Sequence, residues 1–373
     1  MVALVAAPTG AAIAEPLQVF PSDLAWTIDV ATRPIAAPVT ADDRLFVALQ
    51  TGIAAVSVRD RSVLWTQKIV AAGAMAAAAS RLIVPTDGQL HALDTASGQT
   101  AWTATTGQLT APPFIHGDWV YVAAGEQLSA FKIADGAAGW SRDVGVVEER
   151  PAVSDARMYV PVSDGRIVAL DLASGEPIWE TALIGVKPTE PLVYGNRVFA
   201  GSAAKRFCSF RSDTGVKDWC FAIGSVVVGQ PAADASRVYF VALDNLLYAH
   251  DRGHGARQWK KDLRYRPSAG PFLVGAGVTA PGLTSRMQVL DAATGSPGPQ
   301  LGFPADLAMV PVLVPATEQA PLQMAAIVGN LKNLWKLAVS GPPPPPLPDL
   351  KVSPLSELPG LAVPLSGSPV PRG

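Results

Sequence analysis

The chain of 373 residues carries 29 basic and 31 acidic side chains, so its formal charge is only −2. Such a chain lacks the phosphate-neutralising surface that nucleic-acid binding requires, which excludes DNA or RNA as the main ligand. Charged residues make up only 16% of the sequence, which contains 33 glycines and 34 prolines. This composition is typical of many short strands joined by tight turns.

Residues 1–20 are predicted to be a leader or the remnant of a secretory signal peptide. An apolar run from Val2 to Ala14 ends in the Ala12-Ile13-Ala14 pattern of a signal-peptidase site. The run is shorter than the roughly 20 residues that a spanning helix requires, so no transmembrane span is predicted. We therefore expect an exported, periplasmic protein. The alternative is an alanine-rich leader on a cytoplasmic protein.

Three residue types recur along the chain with one period of about 40 residues. Seven of the nine tryptophans form the first series: Trp26, Trp65, Trp102, Trp140, Trp179, Trp219 and Trp259. Proline forms the second series, at Pro113, Pro151, Pro191, Pro231, Pro271 and Pro311. Glycine forms the third, at Gly98, Gly136, Gly175, Gly215, Gly255 and Gly295. A period near 40 residues indicates a propeller or a helical array.

Each repeat contains runs of apolar, β-branched and aromatic residues that predict strands and exclude a helical array. A first run, such as Arg157–Val160, is followed by a second that ends in Ala-Leu-Asp, as at Ile167–Asp171. The turn after the second run has the form Asp-x-x-Ser/Thr-Gly, as at Asp171 to Gly175. There the carboxylate can accept backbone N–H bonds and the glycine can adopt a positive φ.

These units predict an all-β fold, an eight-bladed β-propeller with four antiparallel strands per blade. The eighth unit, residues 303–339, lacks a tryptophan-bearing final strand, whereas Trp26–Val30 is a strand without a unit. We expect this N-terminal strand to close the last blade, because pairing it there removes two exposed sheet edges. The propeller then occupies residues 21–340. Residues 341–373, with 11 of the 34 prolines, are predicted to be a disordered tail.

The Val-Tyr-Val, Ala-Leu-Asp-x-x-Ser/Thr-Gly and tryptophan pattern of residues 26–339 resembles the pyrroloquinoline quinone (PQQ) repeat family of quinoprotein-like propellers. In size the chain is similar to the BamB-type propellers of outer-membrane protein assembly. This resemblance implies a non-catalytic scaffold that has no cofactor and binds protein partners, among them outer-membrane assembly components.

Two alternatives remain open at this point. One is a small PQQ-dependent quinoprotein dehydrogenase, in which Glu148, Glu149 or Glu190 would hold a divalent ion at the mouth of the channel. The other is a surface sensor or adhesin propeller carried by its proline-rich tail. No Gly-x-Ser-x-Gly, His-Glu-x-x-His or Walker motif occurs, so the sequence predicts no catalytic residue.

The loops that join each outer strand to the next inner strand are predicted to cluster at one mouth of the channel. Loops on a rigid scaffold are where binding residues concentrate. The partner-binding candidates in these loops are Arg33, Glu148, Glu149, Arg150, Lys187, Glu190, Arg264 and Arg266. The densest group of charges surrounds Trp259 and Tyr265 and comprises Arg257, Lys260, Lys261, Arg264 and Arg266. The alternative is that all these charges only solvate the surface of a monomeric propeller.

The remaining candidates are structural. We expect the tryptophans of the periodic series to pack against neighbouring blades. Cys208 and Cys220 flank one predicted turn, so they form either a cross-strand disulfide in an exported protein or small buried side chains in a cytoplasmic one. Of the four histidines only His250 and His254 are close in sequence. Their i, i+4 spacing would bring them together on a helix, but they flank a predicted turn between strands, and no metal site is predicted.

Overall fold

The computed structural model describes residues 24–340 apart from 31, 79, 155, 184, 186, 315–322 and 330–334. These residues form eight four-stranded antiparallel sheets and contain no helix. Accordingly, no described segment is a helix of the length and hydropathy needed to cross a membrane. The predicted leader, residues 1–20, and the predicted tail, residues 341–373, lie outside the described residues.

Each sheet is one blade, and seven blades follow the chain order. The first four blades consist of β2 Val39–Ala41, β3 Arg44–Leu49, β4 Gly52–Ser57 and β5 Ser62–Gln67; β6 Ala76–Ala78, β7 Arg81–Pro85, β8 Gln89–Asp94 and β9 Thr100–Thr105; β10 Phe114–His116, β11 Trp119–Ala124, β12 Gln127–Lys132 and β13 Ala138–Asp143; and β14 Ala152–Ser154, β15 Arg157–Pro161, β16 Arg166–Asp171 and β17 Pro177–Ala182. The last four consist of β18 Leu192–Tyr194, β19 Arg197–Ser202, β20 Arg206–Arg211 and β21 Lys217–Ala222; β22 Val227–Ala233, β23 Arg237–Ala242, β24 Leu246–Asp251 and β25 Arg257–Asp262; β26 Phe272–Val274, β27 Gly277–Thr279, β28 Arg286–Asp291 and β29 Pro297–Gly302; and β30 Val312–Val314, β31 Gln323–Gly329, β32 Trp335–Ser340 and β1 Leu24–Val30.

The N-terminal strand completes the eighth blade. Strand β1 pairs antiparallel with β32, and its register places Ile28 opposite Leu337 and Val30 opposite Trp335. The order β1-β32-β31-β30 makes β1 the outer strand, in the position that a tryptophan-bearing strand occupies in the other blades. The predicted closure of the last blade by the start of the chain is therefore confirmed.

The hydrophobic core is divided among the junctions between blades. Eight clusters of buried residues each lie between two successive sheets. One of them joins Ile28 and Ile327 of the eighth blade to Leu45 and Val56 of the first. The innermost strands β2 and β30 also contact each other. The blades thus form a ring, and the predicted all-β propeller architecture is confirmed.

At five of the junctions a tryptophan of the outer strand joins its blade to the next by an indole hydrogen bond. Trp65 Nε1 donates a hydrogen bond of 3.0 Å to the carbonyl oxygen of Thr95, in the Asp-x-x-Ser-Gly turn of the following blade. In that turn Gly98 has φ +71°, and a Cβ on it would lie 2.6 Å from the Trp65 ring. The glycine is therefore needed both for its backbone conformation and for close approach of the indole. The side chains of Trp26 and Trp335 lie outside the described residues.

Prolines of the periodic series stand directly before most inner strands, as Pro113 does before β10. Proline has no N–H to give to a ladder, so it is tolerated at the start of a strand. Pro231 is an exception, because it lies inside β22, where the register with β23 shifts between Val228 and Ala232. β22 spans seven residues, against three in the inner strand β18 of the preceding blade.

Candidate partner-binding face and central channel

The loops between blades share one face of the ring. Six of them form isolated bridges with the end of the second strand, or the turn after it, in the blade that follows: Pro34 with Leu49, Leu109 with Ala124, Val147 with Val162, Pro188 with Ser202, Pro267 with Gly282, and Leu307 with Val328. We call this side the loop face and the opposite side, which carries the Asp-x-x-Ser/Thr-Gly turns, the turn face. The predicted loop candidates lie on the loop face.

The structure brings together Glu148 and Lys187 from two successive loops. Lys187 Nζ lies 3.3 Å from Glu148 Oε2, and the Ser163 hydroxyl donates a hydrogen bond of 2.8 Å to the same carboxylate. The hydrogen bond from Ser163, together with Lys187, holds the pKa of Glu148 below its usual range. The Lys187 backbone donates to the carbonyl of Ser163 and accepts from the amide of Ala203. These contacts tie both loops to the turns beside them.

The central channel is lined by residues from all eight blades and encloses about 760 Å³. Most of its lining consists of alanine, proline, glycine and valine, as at Ala76, Pro113, Gly270 and Pro311. Its charged lining residues are Glu149, Arg150 and Glu190. Glu149 and Val228 also line a smaller adjoining cavity of about 300 Å³, which reaches Glu148 and Lys187. Channel and charged cluster therefore form one continuous surface.

The two channel carboxylates are half-buried, and their pKa values are raised. Burial, followed by the negative charges of Glu190 and Glu148, raises the pKa of Glu149 to about 7. Burial also raises the pKa of Glu190, against the opposing positive charge of Arg150. Glu149 therefore changes its charge near neutral pH, close to Glu190 and Arg150.

The other candidates are exposed and lie apart from this cluster. Arg257, Lys260 and Lys261 are exposed on the outer strand β25, and Arg264 and Arg266 are exposed in the loop that follows it. Trp259 is buried and Tyr265 half-buried, so the basic residues surround these rings along the sequence and not by stacking on them. Arg33 is exposed on the loop face between the last and first blades.

Cys208 of β20 and Cys220 of β21 lie directly opposite each other in the fifth blade. Their Cα atoms are 4.0 Å apart and their sulfur atoms are bonded to each other. Cys208 is fully buried at the junction with the fourth blade, in a cluster that contains Tyr159 of that blade and Phe210 of its own. The disulfide closes the hairpin that the sequence places around this turn.

A family model described as outer membrane protein assembly factor BamB matches residues 49–261 and 189–300 of the chain, which lie within the ring. The chain belongs to this family. It is similar to the outer membrane protein assembly factor BamB of Yersinia pestis, with 24% identity over 215 residues, covering 52% of the chain and 54% of the relative. The chain thus spans about half the length of this curated relative.

Solved structures of the same fold include a member of the family and enzymes. The BamB structure from Moraxella catarrhalis superposes with a TM-score of 0.70 at 19% identity, covering 86% of this chain and 99% of that one. A quinohemoprotein alcohol dehydrogenase from Comamonas testosteroni superposes with a TM-score of 0.68 at 14% identity, covering 90% and 79%. At these identities the likeness concerns the fold alone.

The channel lining does not fit the quinone cofactor of such dehydrogenases. Pyrroloquinoline quinone carries three carboxylates, which require cations and hydrogen-bond donors. Arg150 is the one cation of the described lining, and it stands beside the carboxylates of Glu149 and Glu190. Among the described residues, no group of three or more His, Cys, Asp or Glu side chains is placed to hold a metal ion.

Two features of the structure were not predicted from the sequence. The Ser163 hydroxyl donates a hydrogen bond to the Glu148 carboxylate, although the two residues are 15 positions apart. His250 is 4% exposed, and neither ring nitrogen has a partner in hydrogen-bonding geometry. Its position before Asp251 matches that of Leu170 before Asp171, which is a signal that the sequence does contain.

Proposed function

We propose that this chain is a non-catalytic propeller scaffold that binds protein partners through its loop face, as an accessory factor in outer-membrane protein assembly. The observation that carries the proposal is the Glu148–Lys187 cluster, which two neighbouring loops hold on the face of a BamB-family ring. The name of the family supports outer-membrane assembly as the setting. The channel lining gives no comparable support to a quinone-dependent activity.

The cluster has the physical character of a recognition surface. Its loops are tied by hydrogen bonds from Lys187 to Ser163 and from Ala203 to Lys187, so little further ordering is needed when a partner binds. Exposed charges at the edge of an interface mainly set the association rate and the choice of partner. The outer strand of each blade is in addition an open edge, to which an extended segment of a partner could add by backbone hydrogen bonds.

We also propose that the protein is exported to the periplasm as a monomeric ring, with residues 1–20 as its leader and 341–373 as a tail. The Cys208–Cys220 disulfide supports this location, because disulfides persist in oxidising compartments. Fractionation of the native cell tests it: the protein should be released with the periplasmic contents or with the envelope. Recovery of the mature chain in the cytosol would contradict export.

The experiment for the loop face is a charge exchange. In the Glu148→Lys/Lys187→Glu double variant the ion pair is kept but its polarity is reversed. A partner that recognises these charges should be lost, whereas the backbone hydrogen bonds of Lys187 that tie the loops should remain. The matched control exchanges Arg211 and Asp213, an exposed pair 3.5 Å apart on the turn face. Purified chains are incubated with solubilised native envelopes, and captured proteins are identified by mass spectrometry.

We expect the wild type and the turn-face control to recover components of the outer-membrane assembly machinery, and the loop-face variant to lose them. Equal recovery by all three chains would contradict a role for the cluster. Absence of assembly components from every capture, combined with quinone-dependent dye reduction by the purified chain, would contradict the scaffold function and support a dehydrogenase.

A further inference from the structure

Two neighbouring loops of the loop face are locked together between the sixth and seventh blades. One follows β25 and the other joins β27 to β28. The Tyr265 hydroxyl of the first donates a hydrogen bond of 2.8 Å to the carbonyl of Ala280, at the start of the second. The Ser268 amide donates to the carbonyl of Pro281 at 2.8 Å, and a Cβ on Gly282 would lie 2.5 Å from the Tyr265 ring. The pair therefore behaves as one rigid projection.

This projection holds Leu283 in the solvent. The Leu283 side chain is 60% exposed, and the next turn is fixed by a hydrogen bond of 2.7 Å from the Ser285 amide to Asp306 Oδ1. A single exposed leucine is common on protein surfaces and needs no explanation by itself. Here, however, the positions around it are basic. Arg264 and Arg266 flank Tyr265, whose ring lies against Gly282, and Arg286 follows Leu283 at the start of β28. That combination points to a ligand.

The cations beside Leu283 form what we call the basic tip, which comprises Arg264, Arg266, Leu283 and Arg286. All three charged side chains are exposed, and none forms an ion pair with another described residue. The nearby carboxylates are engaged by other donors. Asp262 accepts from the Arg264 amide at 2.7 Å, Asp306 accepts from Ser285, and Asp244 accepts from the Tyr248 hydroxyl at 2.8 Å.

We propose that the basic tip docks on an anionic phospholipid surface. Arginine binds phosphate through two parallel hydrogen bonds, so Arg264, Arg266 and Arg286 suit the phosphates of lipid headgroups. In this arrangement the exposed Leu283 enters the boundary of the acyl chains, while the arginines remain at headgroup level. This proposal does not depend on the proposed function.

The lipid surface explains the tip better than an acidic peptide does. A bilayer presents phosphate directly above an apolar layer, which matches cations around one projecting leucine. An acidic peptide would satisfy the cations but would leave Leu283 without an apolar partner. Rigidity of the two loops favours either ligand equally, since it reduces the ordering cost of binding.

Vesicle sedimentation of the full-length chain tests the proposal. Vesicles contain phosphatidylcholine alone or with phosphatidylglycerol at three parts in ten. We expect binding to the anionic vesicles, weakened by salt, and little binding to the neutral ones. Because each basic residue near such a surface contributes about 1 kcal/mol, Arg264→Gln/Arg266→Gln should lower the partition constant roughly 10- to 30-fold. Leu283→Ser should lower it about fivefold, since the leucine enters only the boundary.

Matched controls lie on the turn face. Val216 is 61% exposed, so Val216→Ser removes the same kind of apolar side chain at the same exposure. Lys132→Gln/Lys217→Gln removes two exposed cations near that face. Every variant retains residues 1–20, so differences among them report on the tip and not on the apolar leader.

Near-wild-type binding by the tip variants would overturn the proposal, as would equal losses in the controls. Equal binding of the wild type to neutral vesicles would also overturn it. If the tip variants instead lost binding to an immobilised polyglutamate peptide, while the wild type ignored anionic vesicles, the ligand would be an acidic protein and the lipid proposal would be wrong. Urea unfolding of each variant establishes that its ring is intact.

Discussion

Trp259 Nε1 donates a hydrogen bond of 3.1 Å to the carbonyl oxygen of Ala292 in the next blade. Trp65 makes the same bond to Thr95, and in both joints a glycine of the receiving turn lies against the indole ring. Tryptophan and glycine therefore share one period because the same contact recurs between successive blades. At five junctions one indole donor, one carbonyl and one glycine attach a blade to the next.

This joint predicts that alanine at Gly98 lowers the free energy of unfolding more than alanine at Gly88 of the same blade. Both have positive φ, +71° and +73°, so alanine at either site costs roughly 1–2 kcal/mol of backbone strain. A Cβ at position 98 would also clash with the Trp65 ring, whereas a Cβ at position 88 meets nothing within 4 Å. Gly98→Ala should therefore lose about 1–3 kcal/mol more than Gly88→Ala in urea unfolding. Equal losses would show that the indole contact contributes no stability.

Most of the fold could be predicted because each periodic residue has one geometric role. Tryptophan, glycine and proline mark the outer strand, the turn and the inner strand, and equal roles produce equal spacings. Strand β22 could not be predicted in the same way. Pro231 keeps the 40-residue spacing, while the register shift beside it lengthens the strand without leaving a mark in the periodic series.

Only those features of the site that follow from the strand topology could be predicted. Antiparallel pairing alone places Glu148 and Lys187 on one face, because both follow outer strands. Their contact depends on the rotation between two blades and on Ser163, which belongs to a turn of a third segment. Neither the rotation nor the contact with Ser163 can be inferred from a local sequence pattern. The unusual position of His250 could have been found in the sequence by comparing it with Leu170 of the equivalent strand, because a polar residue replaces an apolar one there.

The disulfide leads to a prediction about stability and export. It closes a loop with a sequence separation of 12 residues, so the chain-entropy relation gives a stabilisation of about 2–3 kcal/mol. Adding a reductant should lower the free energy of unfolding by this amount. Cys208→Ala/Cys220→Ala is the control, because its unfolding should not respond to the reductant. Titration of two free thiols in unfolded protein from the native envelope would contradict an oxidised pair.

The junction between the fifth and sixth blades departs from the regular joint. Trp219 Nε1 is buried without a hydrogen-bond partner. The carbonyl of Arg252, which occupies the equivalent acceptor position, instead accepts from Arg197 Nη1 at 2.9 Å. His250 packs edge-on against Phe221 and Phe240 in the same junction. Unpaired polar groups collect here, so this junction should respond to pH.

Protonation of His250 should destabilise the ring. Burial lowers the pKa of His250 from 6.5 to about 4, and the positive charge of Arg257 acts in the same direction. Between these values the unfolded chain binds the proton and the folded chain does not. The stability is therefore complete above pH 6.5 and falls by up to about 3 kcal/mol towards pH 4. His250→Leu should remove this loss in urea unfolding from pH 7 to 4, whereas His254→Gln, on an exposed turn, should retain it.

Glu149 acts in the opposite direction over nearly the same range. Its pKa is raised from 4.5 to about 7, mainly by burial, so the folded chain keeps a proton that the unfolded chain has lost. Stability from this group is present below pH 4.5 and declines as the pH rises to 7. In the wild type the two opposing effects offset each other and the pH profile should be shallow. Glu149→Gln should expose the histidine effect as stability that rises with pH.

In His250→Leu the opposite slope should appear, because stability should fall as the pH rises from 4.5 to 7. Glu190 adds to that fall, since burial also raises its pKa. The double variant Glu149→Gln/His250→Leu should keep only the fall that Glu190 causes, so its slope should be smaller than that of His250→Leu. Urea midpoints of the four chains at half-unit pH steps measure all three slopes. Parallel profiles in the two single variants would show that these groups do not govern the pH response, because the physical argument requires slopes of opposite sign.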